Sequence, residues 1–95
     1  MKFRIILPEG KTYTEETESV IVPLSDGLAG IMKGHSPMLA ELKNGVISVR
    51  SSENNIIVTS YQIYNAMIEV LDDQITVLAD KVTILADNCD SASVV

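Results

Sequence analysis

Apolar residues along this chain come in short runs, broken by turn-forming residues every eight to twelve positions or so, the spacing of an antiparallel sandwich or barrel. Phe3, Ile5 and Leu7 alternate with Lys2, Arg4 and Ile6 before Pro8-Glu9-Gly10 turns the chain. Thr12-Tyr13-Thr14 predicts a short second strand, and Ser19-Val20-Ile21-Val22-Pro23 a third that ends at Ser25-Asp26-Gly27. A fourth covers 28–32 and stops at Gly34. Residues 37–42 are too few for a stable helix and predict a helical turn or an irregular connection. Asn44-Gly45 is the strongest turn dipeptide in the chain. It precedes a β-branched strand over 46–50 and a polar loop over 51–55.

Two further strands are expected over 56–63 and 64–71, then a turn at Asp72-Asp73 and strands over 75–78 and 82–85. Ile75-Thr76-Val77-Leu78-Ala79-Asp80 is nearly repeated by Val82-Thr83-Ile84-Leu85-Ala86-Asp87. An odd offset between strands of period two would put equivalent side chains on opposite faces, so the repeat reads as chance or as a hairpin. The organisation expected is one all-β domain over residues 1–87 and a loose tail over 88–95.

Composition narrows the function classes. At 95 residues, 46% apolar and 21% charged, the chain has the balance of a folded globular domain. No run approaches the ~18 apolar residues of a membrane span, and the N-terminal run is too short for a signal peptide. A soluble, cytoplasmic protein is the expectation. The net charge of −6 argues against nucleic acid as a partner. That charge is uneven: residues 1–50 balance six acids against six bases, whereas residues 51–95 set seven acids against Lys81. Such a half is either solvated or steered toward a basic partner. The positive mean hydropathy (+0.23) suits a domain that covers part of itself with another protein.

Little in the sequence resembles an active site. The single Cys89 cannot close an internal disulfide, nor build a zinc site with the single His35. His35 and Ser36 are adjacent, and neighbours in sequence rarely face each other as base and nucleophile. Gly34 and Pro37 explain the segment better, through positive φ and a forced extended residue. Asp72-Asp73 could hold a divalent cation, but adjacent acids at a turn are ordinarily solvated, as is the run Glu15-Glu16-Thr17-Glu18. No phosphate-cradling glycine motif occurs. No catalytic residue, cofactor site or metal site is expected.

An ordered series of motifs is more specific. Leu7-Pro8-Glu9-Gly10 resembles the Thr/Ser-Pro-Glu-Gly turn that follows the first strand of F-type ATP synthase epsilon subunits. Val20-Ile21-Val22-Pro23, then Gly27, Gly30 and Ile31, are spaced as in that family. Gly34-His35-Ser36-Pro37-Met38-Leu39 is similar to its Gly-His-x-Pro-Leu-Leu segment, and Leu42-Lys43-Asn44-Gly45-Val46 to its Leu-Lys-x-Gly-Val. Glu69-Val70 and Val77-Leu78-Ala79-Asp80 are similar to its closing strands.

The resemblance implies a two-sheet antiparallel β-sandwich of about ten strands, acting as a non-catalytic central-stalk subunit that couples proton flow to ATP synthesis. It implies two partners: the gamma subunit, met by Met32, His35, Pro37 and Met38, and the c-ring, approached by Ser25, Asp26, Gly27 and Leu28. Localisation would be peripheral, at the cytoplasmic face of a bacterial inner membrane or an organellar equivalent. Three departures stand out. Leu28 replaces a frequent Glu, Asn65-Ala66-Met67 replaces Gly-Gly-Phe, and the residues after Asp87 are too few for the family's C-terminal helical hairpin, so inhibition of ATP hydrolysis through that hairpin is not expected. The other reading is a free-standing sandwich that binds some other protein.

Overall fold

The structure is a computed structural model, and it describes residues 1–50 and 57–86. The expected polar loop over 51–55, Asp87, Cys89 and the expected tail lie outside the described residues. Eight strands follow in order: β1 (Lys2–Ile6), β2 (Thr12–Glu16), β3 (Ser19–Leu24), β4 (Gly27–Met32), β5 (Met38–Leu42), β6 (Gly45–Arg50), β7 (Ile57–Leu71) and β8 (Gln74–Ala86).

The long hairpin of β7 and β8 organises the rest. Its first and second halves belong to different layers, because β6 pairs with β7 up to Ile63 while β5 pairs with it from Ala66 onward. One layer runs β4-β3-β6-β7-β8 through the outer half of the hairpin, and the other runs β2-β1-β8-β7-β5 through the half that ends in the turn. Counting each half of β7 and β8 as a strand gives five strands per layer, the two-sheet sandwich and the strand number expected from the resemblance. Pairing is antiparallel except between β1 and β8, which run parallel. The inner faces close on Phe3, Ile5, Val20, Val22, Ile31, Ile47, Ile63, Ile68, Ile75 and Val77, all fully buried. The Phe3 and Tyr61 rings, from opposite layers, meet with centroids 6.0 Å apart. At about 25 cal/mol per Å² of apolar surface removed from water, this shared core is the main favourable contribution to folding.

Three expectations need correction. Residues 37–42 hold no helical turn: Met38–Leu42 is a strand, with Met38, Ala40 and Leu42 facing the core. The strands expected over 56–63 and 64–71 are one strand, and so are those over 75–78 and 82–85. Asn44-Gly45, the strongest turn dipeptide, joins β5 to β6 without reversing the chain. Leu42 lies opposite Ala66 and Gly45 opposite Ile63, so β5 and β6 continue along β7 in one register. Gly45 lies close against Pro23, and a Cβ there would stand 3.3 Å from the Pro23 ring, a crowded contact.

One device produces all of these differences. In β7 the buried positions are Thr59, Tyr61 and Ile63, then Ala66, Ile68 and Val70, a change of phase by one residue. Asn65 makes that change by adopting φ +52°, a left-handed conformation that Asn tolerates better than most residues. Its N–H donates to the Asn44 side-chain oxygen (2.9 Å) and its amide nitrogen to Asp80 (3.3 Å). β5 and β6 change phase between Leu42 and Ile47, and β8 between Ala79 and Val82. Apart from Asp87, which lies outside the described residues, the seven-residue repeat therefore falls on one bent strand, and the phase change gives both Ile75 and Val82 a core-facing position. Where the resemblance leads one to expect glycine, Asn65 holds a left-handed backbone conformation that glycine would also adopt.

Candidate functional site

The β3–β4 hairpin and the segment leading to β5 carry every residue expected to meet a partner. Ser25 and Asp26 form the two-residue loop between β3 and β4, and Gly27 follows at φ +133°. All four residues of the Ser25, Asp26, Gly27, Leu28 set are exposed, Leu28 at 75%. Beside them lies a groove of about 350 Å³ walled by Ile21, Pro23, Leu24 and Val46. Its rim carries Lys43, a cation next to the exposed apolar side chain of Leu28.

At the far end of β4, about 17 Å away along a six-residue strand, stands the second group. Met32 is 63% exposed. The chain then turns through Lys33 and Gly34, where φ of +86° suits a residue without Cβ. Three hydrogen bonds shape this turn. The His35 N–H donates to the Met32 carbonyl (3.0 Å), the His35 ring Nδ1 donates to the Ser36 carbonyl (2.7 Å), and the Gly34 N–H donates to Asp73 Oδ1 (3.2 Å). His35 thus braces its own loop, and its ring engages the carbonyl of Ser36 instead of the hydroxyl a base would need. Pro37 is exposed, whereas Met38 is half-buried against the core and presents only part of its side chain. The structure therefore keeps the two expected groups apart, joined by β4, and it leaves Leu39 exposed at 71% beside the second group.

The acidic residues singled out from the sequence are occupied structurally. Asp72 and Asp73, at φ +50° and +64°, form the two-residue turn between β7 and β8 with the φ signs of a type I′ loop. Asp73 accepts from Lys2 through its carbonyl as well as from Gly34 through its carboxylate. The run Glu15-Glu16-Thr17-Glu18 is not simply solvated, contrary to expectation. Glu15 accepts hydrogen bonds from the hydroxyls of Thr59 (3.0 Å) and Tyr61 in the opposite layer. Thr17 is buried and hydrogen-bonds the carbonyls of Ser19 and Arg50. Glu16 and Glu18 keep to the surface, Glu16 at 3.6 Å from the N-terminal amine. Among the described residues, no cluster of three His, Cys, Asp or Glu side chains is assembled.

Sequence reading missed one surface. On the outside of the β2-β1-β8-β7-β5 layer, Met67 pairs with Leu78 and Leu78 with Ile6, forming an apolar row across three strands. Exposed Leu39 lies beside it, and the row borders a groove of about 410 Å³ that also reaches Pro8 and Asp80. Its signal was present in the runs Ile5-Ile6, Met67-Ile68 and Val77-Leu78, where both faces of a strand are apolar.

Residues 1–85 match the family described as "ATP synthase, Delta/Epsilon chain, beta-sandwich domain". An ATP synthase epsilon chain from Chlorobium limicola is 41% identical over 69 residues, covering 73% of this chain and 76% of that one. The epsilon chain of Helicobacter pylori strain 26695 is 34% identical over 77 residues, covering 77% and 63%. Against the first relatives matched, the chain spans 45% of the Hydrogenobaculum epsilon chain and 63% of the Helicobacter one. In fold it is similar to a chain in the Euglena gracilis mitochondrial ATP synthase OSCP/F1/c-ring structure, with TM-score 0.73 and 18% identity over 87% of this chain and 52% of that one. It is also similar to a chain in the central stalk/c-ring structure of the Tetrahymena thermophila enzyme, with TM-score 0.70 and 11% identity, over 86% and 64%.

Proposed function

The chain belongs to the ATP synthase delta/epsilon-chain β-sandwich family, and on that premise we propose that it is the rotor part of an F-type ATP synthase, a non-catalytic epsilon-type subunit of the central stalk. It binds the gamma subunit and rests against the c-ring, so that rotation driven by proton flow is transmitted to ATP synthesis. The observation that carries this reading is the family match, which spans nearly the whole described fold. The solved structures of similar fold, one of an F1/c-ring assembly and one of a central stalk with its c-ring, support it. In a bacterium the subunit would sit peripherally at the cytoplasmic face of the inner membrane, held there by its partners.

Two contacts divide the work in this proposal. Met32, His35, Pro37 and the exposed part of Met38 meet gamma, where pliable methionine side chains fit an irregular partner groove. Ser25, Asp26, Gly27 and Leu28 meet the polar loops of the c-ring. Because Leu28 stands where the resemblance leads one to expect Glu, this contact carries one charge fewer and depends less on salt.

A pull-down of purified gamma subunit with this chain tests the reading. Retention of gamma, weakened by Met32→Ser and by His35→Ala, is the expected result. Failure to retain either gamma or an assembled catalytic head would overturn it.

A further inference from the structure

Edge strands expose a row of unpaired backbone groups, and proteins usually protect them with charge, proline or a covering segment. Here β2 carries Glu15 and Glu16, β5 carries Glu41, and the outer half of β8 carries Lys81. β4 reads Gly-Leu-Ala-Gly-Ile-Met and has neither charge nor proline. Among the described residues it pairs with β3 alone.

Hydrogen-bonding parity specifies what this edge offers. The two-residue loop makes Leu24 and Gly27 the closing hydrogen-bonded pair. Alternation along an antiparallel ladder then turns the N–H and C=O groups of Leu28, Gly30 and Met32 away from β3. The Met32 carbonyl, which accepts from His35 instead, agrees with that parity. Five backbone groups remain for a partner: both from Leu28, both from Gly30 and the N–H of Met32. Gly30 adds a shape requirement. A Cβ there would meet nothing within 4 Å, and its cross-strand neighbour Ile21 is only half-buried. A bulky apolar side chain opposite Gly30 would fill that gap, as aromatic residues do over edge glycines.

We propose that β4 receives an extended segment of the gamma subunit as an added strand, with a large apolar residue seated over Gly30 between Leu28 and Met32. This rests on the gamma-binding reading above and gives it a mode, strand addition, in which main-chain bonds supply affinity and alternate side chains supply choice. A second copy of this chain suits the edge less well. In its fullest two-fold register, centred on Gly30, β4 paired with itself would set Gly30 against Gly30 and leave the gap empty, and any register brings together two chains of net charge −6.

Residue-resolved amide exchange on the chain, free and saturated with purified gamma, tests the proposal. The amides of Leu28, Gly30 and Met32 exchange quickly in the free chain and slow by about a hundredfold in the complex. A chain made by chemical ligation with N-methylglycine at position 30 loses the outward donor, and its affinity for gamma falls about tenfold. Gly30→Ala keeps that donor but places a Cβ in the space of the seated side chain, so it also weakens binding, by the smaller factor of about threefold. A complex that forms without protection at those amides, or with protection on the Ile6, Met67 and Leu78 face instead, overturns strand addition and leaves gamma binding standing. Absence of any complex overturns both, as does self-association through β4 in place of gamma binding.

Discussion

Two places in the molecule redirect the chain, and they are built in opposite ways. At the corner where β5 gives way to β6 and where β7 and β8 bend, three adjacent strands change phase together. Asn44, Asn65 and Asp80 satisfy the backbone and side-chain groups that the bend exposes. The segment from Met32 to Leu39 also turns, but two of its three hydrogen bonds close within the loop and the third reaches Asp73, while Met32, Pro37 and Leu39 stay in solvent. Polar side chains at the corner serve an apolar core, while the backbone at the loop serves an apolar surface. The difference separates what stabilises this fold from what the fold holds out to a partner.

That comparison can be broken at four points, from the largest expected effect downward. Ile68 lies just past the corner and is fully buried. Ile68→Ala should cost about 2–5 kcal/mol, read as a lowered denaturation midpoint at unchanged m-value. Asn65→Val places a β-branched residue at φ +52° and should cost about 1–3 kcal/mol, whereas Asn65→Gly should stay within about 1 kcal/mol of the original. Equal losses from the two would mean that left-handed geometry is not what Asn65 contributes. Asn44→Ala removes the acceptor of the Asn65 N–H and should cost about 1 kcal/mol by chemical denaturation. Across the boundary, Met32→Ser changes an exposed side chain. It should leave stability within about 0.5 kcal/mol and still weaken gamma binding.

Much of the fold was legible because inner-face positions such as Phe3-Ile5-Leu7 and Val20-Val22 alternate with more exposed residues, the plain signal of a half-buried strand. The corner was not. A phase change at Asn65 makes one strand look like two, and the same change hides β5, whose inward Met38, Ala40 and Leu42 are interleaved with apolar Leu39. Only pairing with β7 reveals a single register, and pairing is a property of the folded chain. For the candidate site, the motif around Gly34-His35-Ser36-Pro37 located the loop, and the geometry gave His35 its bracing role. The open edge of β4 was not readable, since its significance lies in which neighbours are absent among the described strands. Glu15 was misjudged for a related reason: nothing local announces that Thr59 and Tyr61 lie across the sandwich from it.

The central claim is that recognition of gamma is carried on the β4 side, independently of the corner that sustains the fold. Calorimetric titration of purified gamma into the chain, repeated with Met32→Ser and with Asn44→Ala, addresses it most directly. The account predicts that Met32→Ser weakens binding with stability unchanged, and that Asn44→Ala lowers stability with binding unchanged. Binding that ignores Met32→Ser and falls with Asn44→Ala would contradict it.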